Sequence, residues 1–387
     1  MRIAFIGQKG LPAANGGVER HTENLAVRLA EMGHKIFVYA KNDYTEKTLG
    51  EYKGVKLIHI PSVSVEVINK ILYSFLSNFH AAFQKYDIIH FQSKSSAFFS
   101  FIPKIFRIKT AIILTFRRRR NYKKSLGWLG KELRRYAEQL AVRIASKIIV
   151  LKKSTRDYIF NKYKIKAAYI PEGSEVRRNL CSKVLERWNL KEKRYVIADG
   201  SLCKNEEIKT IVEAFKNLED TNKIPNNFKL VIIDSDFNSN DRKNIIFTDN
   251  PTNATLEQLF SHSYLFIAPS ESENSSATLL EAMGYGIAPL VSDIPKNLEA
   301  IGKCGFSFKS KSGEDLKEKL AYLVNKPSEV ERMGKMAREK AQKDYGWDKI
   351  VRKTLHIYEF CQKETQRESK RLIIESKSRA VSLRSWW

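Results

Sequence analysis

Residues 2–17 read Arg-Ile-Ala-Phe-Ile-Gly-Gln-Lys-Gly-Leu-Pro-Ala-Ala-Asn-Gly-Gly. The apolar run up to Ile6 reads as a strand buried on both faces, and a glycine-rich loop from Gly7 to Gly17 follows it. From Val18 to Met32, apolar residues recur near helical spacing at Val18, Leu25, Ala26 and Leu29. Gly33 ends that helix, and Lys35-Ile-Phe-Val-Tyr-Ala40 is the next strand. Strand, helix and strand in this order form a β-α-β unit, which predicts an α/β fold with a doubly wound parallel sheet.

Further strands fit at 56–60, 87–91, 110–115 and 147–151, and turn residues in Tyr169-Ile-Pro-Glu-Gly173 mark a hinge. The pattern then restarts, with strands at 195–198, 229–233, 244–247, 264–268 and 288–291 and helices at 206–218, 255–261 and 278–284. A chain of 387 residues is long for one core, so two Rossmann-like domains facing a cleft are expected. Residues 313–343 read as charged and helical, 349–365 as one more helix, and 366–387 as a basic tail with little structure. Helical spacing at Val65, Ile68, Ile71, Leu72, Phe75, Leu76 and Phe79 predicts a helix whose apolar stripe faces the core.

The second half carries the sharper chemical signal. Residues 269–286 read Pro-Ser-Glu-Ser-Glu-Asn-Ser-Ser-Ala-Thr-Leu-Leu-Glu-Ala-Met-Gly-Tyr-Gly. Glu273 lies in the loop after a strand, and Glu281 lies eight residues on, in the helix that follows. Ligands of open α/β sheets bind outside the carboxyl ends of strands, and a helix N-terminus there offers free N–H groups. Ionised carboxylates only accept hydrogen bonds, so a pair of them suits the donating hydroxyls of a sugar. The alternative is an acidic loop ahead of a helix whose Glu faces water. The glycines of the first loop, with Gly16-Gly17 at the helix start, suit a phosphate, or simply make a flexible turn. The spacing fits neither Gly-x-Gly-x-x-Gly nor the P-loop.

Composition narrows the class. Cys181, Cys203, Cys304 and Cys361 are far apart, which argues against a metal site or a disulfide framework and fits a reducing cytoplasm. The opening residues lack the apolar length of a signal peptide, and no apolar run approaches a membrane span. The net charge is +25, and residues 94–164 hold 20 Lys and Arg against 3 Asp and Glu. Such a field implies an anionic partner. Within it, Arg117, Arg118, Arg119, Arg120, Lys123 and Lys124 follow the aromatic-rich Phe98-Phe-Ser-Phe101 and Ile105-Phe106. This pairing suits an anionic bilayer or a lipid-phosphate acceptor; nucleic acid and a solvated face are the alternatives. His34 and His59 read as structural, His21 as a ligand contact or a helix-face residue, and Asp87 and His90 as lying at a strand end near the cleft.

The stretch 269–286 resembles the Glu-x7-Glu signature of the retaining GT-B glycosyltransferases of family 4, and Gly7, Gly10, Pro12, Gly16, Gly17 and Glu19 match the opening loop of the bacterial rhamnosyltransferase-like group. The resemblance covers roughly residues 1–360. It implies a GT-B fold with domains over 1–172 (acceptor side) and 173–348 (nucleotide-sugar side), and a helix over 349–365 that crosses back to the first domain. It assigns Glu273 to the donor sugar and Glu281 to the ribose, turns the backbone of Asn274, Ser275 and Ser276 toward the donor, and gives Gly16 and Gly17 the phosphates. It implies no metal and no cofactor. The expected activity is sugar transfer from a nucleotide-sugar to a lipid-linked or polysaccharide acceptor of the cell envelope, by a cytoplasmic enzyme peripheral on the inner face of the membrane.

Three departures from the family pattern bear on chemistry. Ser201 and Glu206 stand where the family has the Arg and Lys that neutralise the donor diphosphate, with Lys204 as a partial substitute. Leu114-Thr-Phe-Arg117 lacks the His of the family's Thr-x-His-Gly loop. Glu172-Gly173 replaces an Asn-Gly, and Asn274 replaces a Gly. They open a second reading, a catalytically degenerate relative that binds nucleotide or glycan as a scaffold.

Overall fold

The computed structural model describes residues 1–14, 17–117, 128–175, 181–200, 203–233, 243–248, 251–269 and 276–384, with backbone alone at 128–131, 133–134, 253, 276 and 372–384. Two compact units emerge: Met1–Pro171 together with Asp348–Trp387, and Glu172–Trp347.

The first unit is built on strands β1 (Arg2–Ile6), β2 (Lys35–Lys41), β3 (Glu51–Tyr52), β4 (Val55–Ile60), β5 (Ile88–Phe91), β6 (Ala111–Phe116), β7 (Lys147–Val150) and β8 (Ala168–Tyr169). Their order is β3-β4-β2-β1-β5-β6-β7-β8, parallel except for the β3–β4 pair at the edge. Central β1 sets Ile3 beside Ile36 on one side and Ile88 on the other. All six residues of β6 are buried, as expected of a strand covered on both faces. The covering helices are α1 (Gly17–Glu31), α2 (Glu66–Phe83), α3 (Lys94–Ala97), α4 (Phe101–Phe106), α5 (Trp128–Ile144) and α6 (Lys153–Tyr163). Helix α1 buries Leu25, Ala26 and Leu29, the stripe its sequence predicts.

Helix α2 corrects the sequence reading. It forms where the spacing puts it, but its apolar stripe faces outward: Ile68, Ile71, Phe75, Phe79 and Phe83 are 41–56 % exposed. The buried face holds Asn69, Tyr73, Ser77 and Asn78 instead. Asn78 Nδ2 donates to the carbonyls of Ser74 and Ser96, Asn69 Nδ2 to Asp43 Oδ2, and Tyr73 Oη to the Tyr39 carbonyl at 2.9 Å. These bonds from the two Asn amides and the Tyr73 hydroxyl offset part of the cost of burying a polar face, while Asn69 Oδ1 and Asn78 Oδ1 are buried without a partner among the described residues.

The second unit opens with α7 (Lys183–Arg187). It continues as β9 (Tyr195–Asp199), α8 (Asn205–Asp220), β10 (Lys229–Ile233), β11 (Ile245–Thr248), α9 (Asn253–His262), β12 (Leu265–Ala268), α10 (Ser276–Gly284), β13 (Ala288–Ser292), α11 (Pro295–Ile301) and β14 (Phe306–Phe308). The sheet order is β11-β10-β9-β12-β13-β14, every pair parallel. The charged stretch at 313–343 is two helices, α12 (Gly313–Val324) and α13 (Pro327–Lys340). Lys326 precedes Pro327 and leaves helical angles, as a residue before proline does.

The last helix, α14 (Trp347–Arg384), carries the chain back to the first unit, where Tyr358 is fully buried. It runs past the boundary expected at 365, correcting the reading of 366–387 as a tail with little structure. No Gly or Pro follows Gly346, Arg367 pairs with Glu364, and Thr365 and Ser369 are buried. Among the described residues, no helix is long and apolar enough to cross a membrane.

Candidate functional site

In the second unit the chain direction across the sheet reverses between β9 and β12, its first and fourth strands. That neighbourhood is the topological switch point, where α/β sheets bind ligands at strand carboxyl ends. Both motif segments of the sequence emerge there. The loop with Ser201 and Lys204 follows β9, and the Glu-x7-Glu segment follows β12.

Asp199, the last residue of β9, joins the two: Thr278 Oγ1, in the first turn of α10, donates to Asp199 Oδ2 at 2.6 Å. Cys203 Sγ donates to the Asp199 carbonyl at 3.0 Å. Burial, with Glu207 and Asp199 close by, pushes the Cys203 thiol up, so it stays a neutral donor. Glu281 is half-buried on α10. The helix is fixed from its far side by Ser174, whose Oγ donates to the Leu280 carbonyl at 2.6 Å. A Cβ on Gly284 would lie 2.0 Å from the Glu175 carbonyl, so only glycine lets that segment run so close.

Lys204 is exposed and caps α8, its backbone N–H donating to Glu207 Oε2 at 2.8 Å. Glu206 is exposed in the first turn of α8, where the positive end of the helix dipole favours an acid. That gives the sign reversal at this position a local structural use. Glu273, Asn274, Ser275 and Ser201 lie outside the described residues; the backbone of Ser276 opens α10.

In the first unit the early part of the glycine loop is held by its own protein. Lys9 N–H donates to Glu19 Oε1 (3.1 Å), Ala13 N–H to Glu23 Oε2 (2.6 Å), Ala14 N–H to Tyr44 Oη (2.8 Å) and Gly7 N–H to Tyr73 Oη (3.1 Å). Gly7 has φ +109°, and a Cβ there would meet Ser93 Oγ at 2.8 Å. Gly17 starts α1 in open space, and Gly16 lies outside the described residues.

Beside this loop, His90, the third residue of β5, is fully enclosed. Its Nδ1 is 2.5 Å from Tyr358 Oη and its Nε2 is 2.7 Å from Thr115 Oγ1. Burial, then the nearby His21 and the Arg117 charge, hold His90 well below the usual histidine range, so the ring is neutral. Arg117, which stands where the family carries a His, is therefore close enough to His90 for its charge to act on the ring. Asp87 does not join them. It precedes β5 at the amino end of the sheet and accepts from the Arg2 N–H at 2.7 Å. His59 Nε2 lies 2.8 Å from the Leu49 carbonyl, a structural contact. Arg118, Arg119, Arg120, Lys123 and Lys124 lie outside the described residues.

One carboxylate that sequence reasoning missed is Glu138 on α5. It meets Lys94 Nζ (2.7 Å), Lys162 Nζ (3.0 Å), Tyr158 Oη (3.0 Å) and Tyr163 Oη (2.7 Å). Burial alone would raise it, but its bonds to Lys94, Tyr163 and Lys162 win and bring it down to about 2. Its partners come from α3 and α6, so it reads as a structural lock. Among the described residues, no group of three or more His, Cys, Asp or Glu could hold a metal ion.

Comparison with known proteins matches both halves. Residues 15–178 match the family model described as Glycosyltransferase Family 4, and residues 184–340 the one described as Glycosyl transferases group 1. The sulfoquinovosyl transferase SQD2 of Arabidopsis thaliana is 36% identical over 110 residues, which is 26% of this chain and 21% of that protein. The matched part thus spans about a fifth of that relative's length. Among solved structures, the sucrose-phosphate synthase of Thermosynechococcus elongatus superposes with a TM-score of 0.76 at 16% identity, covering 92% of this chain and 98% of its own. HepE of Anabaena, solved in complex with UDP, gives 0.71 at 15% identity, covering 92% and 99%.

Proposed function

The chain belongs to the GT-B glycosyltransferases, with a Glycosyltransferase Family 4 half and a Glycosyl transferases group 1 half, and from that premise we propose that it moves a sugar from a nucleotide-sugar donor to a lipid-linked or polysaccharide acceptor of the cell envelope. The observation that carries this reading is the meeting of both motif segments at the β9/β12 switch point, tied by Thr278 and Asp199. Glu281 holds the ribose. Glu273 accepts from the donor sugar's hydroxyls, with the backbone of Asn274, Ser275 and Ser276 turned toward the donor. Gly16 and Gly17 supply N–H groups to the phosphates at the start of α1.

In the transfer, the bond from the anomeric carbon to the diphosphate oxygen breaks, and the acceptor hydroxyl oxygen bonds on the same face, retaining configuration, as its proton passes to the departing diphosphate. The departing diphosphate gains negative charge. The N-terminal amides of α10 and Lys204 stabilise it without a metal or other cofactor. The enzyme works in the cytoplasm, on the inner face of the membrane. Its free cysteines fit a reducing compartment, and the run from Arg117 to Lys124 suits acidic lipid rather than nucleic acid. The test is donor hydrolysis and transfer across a panel of nucleotide sugars. Equal rates for the wild type and Glu273→Ala overturn the assignment.

Ser201 and Glu206 favour a second reading, a GT-B protein that binds nucleotide or glycan without turnover. Nucleoside diphosphates would then raise its thermal stability while no donor in the panel is consumed.

A further inference from the structure

The outward stripe of α2 continues across the neighbouring helices. Ring contacts run from Phe106 to Phe83 (5.7 Å), Phe79 (5.1 Å), Phe75 (6.0 Å) and Phe99 (5.6 Å), and on from Phe99 to Phe101 (6.4 Å). Among the described residues, eleven of the seventeen exposed large apolar side chains fall between Val63 and Ile108. Single exposed apolar residues are ordinary, but a continuous apolar face on one element marks an interaction surface. The polar contacts of Asn69, Tyr73 and Asn78 fix the inner face of α2, so the apolar face cannot simply rotate inward.

Charge identifies what covers this face. From Glu66, where α2 begins, to residue 131 the chain contains thirteen Lys and Arg and two acids: Glu66, which is paired with Lys70, and Asp87, which is tied to the backbone of Arg2. Arg107 sits at the end of the ribbon, its guanidinium donating to the carbonyls of Ala82 and Phe83. Lys104 and Lys109 flank Ile105, Phe106 and Ile108 in the chain. A second copy docking on the same face would set these cations against themselves, because a two-fold interface pairs a patch with its own image. An apolar helix face bordered by cations matches an anionic lipid surface.

We infer that the outer face of α2, with Ile105, Phe106 and Ile108, docks on an anionic bilayer, its phenylalanines entering the boundary between headgroups and acyl chains. This deepens the acceptor side of the proposed function, yet its test needs no sugar chemistry. The full chain is floated with phosphatidylcholine vesicles with and without phosphatidylglycerol, beside the variant carrying Phe75→Ser, Phe79→Ser and Phe106→Ser. These side chains are 41–59 % exposed, so the variant should stay folded, melting lower only by what the lost ring contacts contributed. The wild type should float with the acidic vesicles, and the variant should partition roughly a hundredfold less. Phe79→Trp should shift its emission to the blue on the same vesicles.

A wild type that stays unbound at low salt overturns the inference, as does a triple variant that floats equally well. So does a wild-type dimer that the triple variant abolishes while neither protein floats. Flotation without sugar transfer keeps this surface and removes the enzymatic reading. Transfer to a soluble acceptor without flotation does the reverse.

Discussion

Thr278 Oγ1 donates to Asp199 Oδ2 across 2.6 Å, so one hydrogen bond to a charged group joins the end of β9 to the first turn of α10. Thr278→Val keeps the shape and removes the donor. The second unit should lose about 1–2 kcal/mol, and nucleoside diphosphate should bind more weakly, because the two loops lose their shared register. Thr278→Ser should restore both. Thermal unfolding and calorimetric titration of the three proteins give the answer; a Val variant that melts and binds like the wild type removes the tie from the site.

Glu281 and Glu273 should separate in their effects. If Glu281 holds the ribose, Glu281→Ala should weaken nucleoside diphosphate binding roughly tenfold to a hundredfold. Glu273→Ala should bind the free nucleotide like the wild type and lose turnover. If the two variants behave alike in titration and kinetics, the ribose and sugar assignments are wrong.

Glu138 makes acid stability measurable. Its carboxyl lies at about 2 when folded, against about 4.3 for a free Glu. A lowered folded value stabilises the protein above the unfolded value, and the benefit is lost as pH falls toward 2. That contribution is up to about 3 kcal/mol. Urea midpoints between pH 2 and pH 7 should fall with acid in the wild type. In Glu138→Gln they should start lower and fall less steeply over that window. Parallel curves would show that the cluster with Lys94 and Lys162 does not couple to folding.

Ser201→Arg with Glu206→Lys puts positive charge where the family pattern has it. If diphosphate departure limits the reaction, kcat should rise in the double variant, by about tenfold for each 1.4 kcal/mol of added transition-state stabilisation. Glu206 occupies the first turn of α8, so stability should drop by about 0.3–1 kcal/mol through loss of the helix-dipole interaction. An unchanged kcat beside a lower melting temperature would assign Glu206 to capping alone.

Most of the scaffold was legible in the sequence. Continuous apolar runs such as Lys229–Ile233 have one reading in a doubly wound sheet, and the structure starts and stops that strand at the same residues. The outward face of α2 was not legible. Helical spacing locates a stripe but not its direction, and here polar Asn69, Tyr73 and Asn78 took the inside through bonds to residues far along the chain. The Thr278–Asp199 tie and the Glu138 cluster were hidden for the same reason, being contacts 79 and 44 residues apart that no local pattern encodes. At Glu206 the sequence showed a wrong-sign charge, and only the helix start explained what else it does.

Tyr358 closes over His90 from a position 268 residues further along the chain. The first unit is therefore interrupted, with Glu172–Trp347 inserted between its parts. A ribosome delivers the whole of the inserted unit before it delivers the side chain that seals the histidine. During synthesis the second unit can finish folding while the first still has an open seam beside β5. Chaperone capture and proteolytic nicking of nascent chains should concentrate there, and a nascent chain stalled before Tyr358 should hold a folded second unit well before it holds a finished first unit.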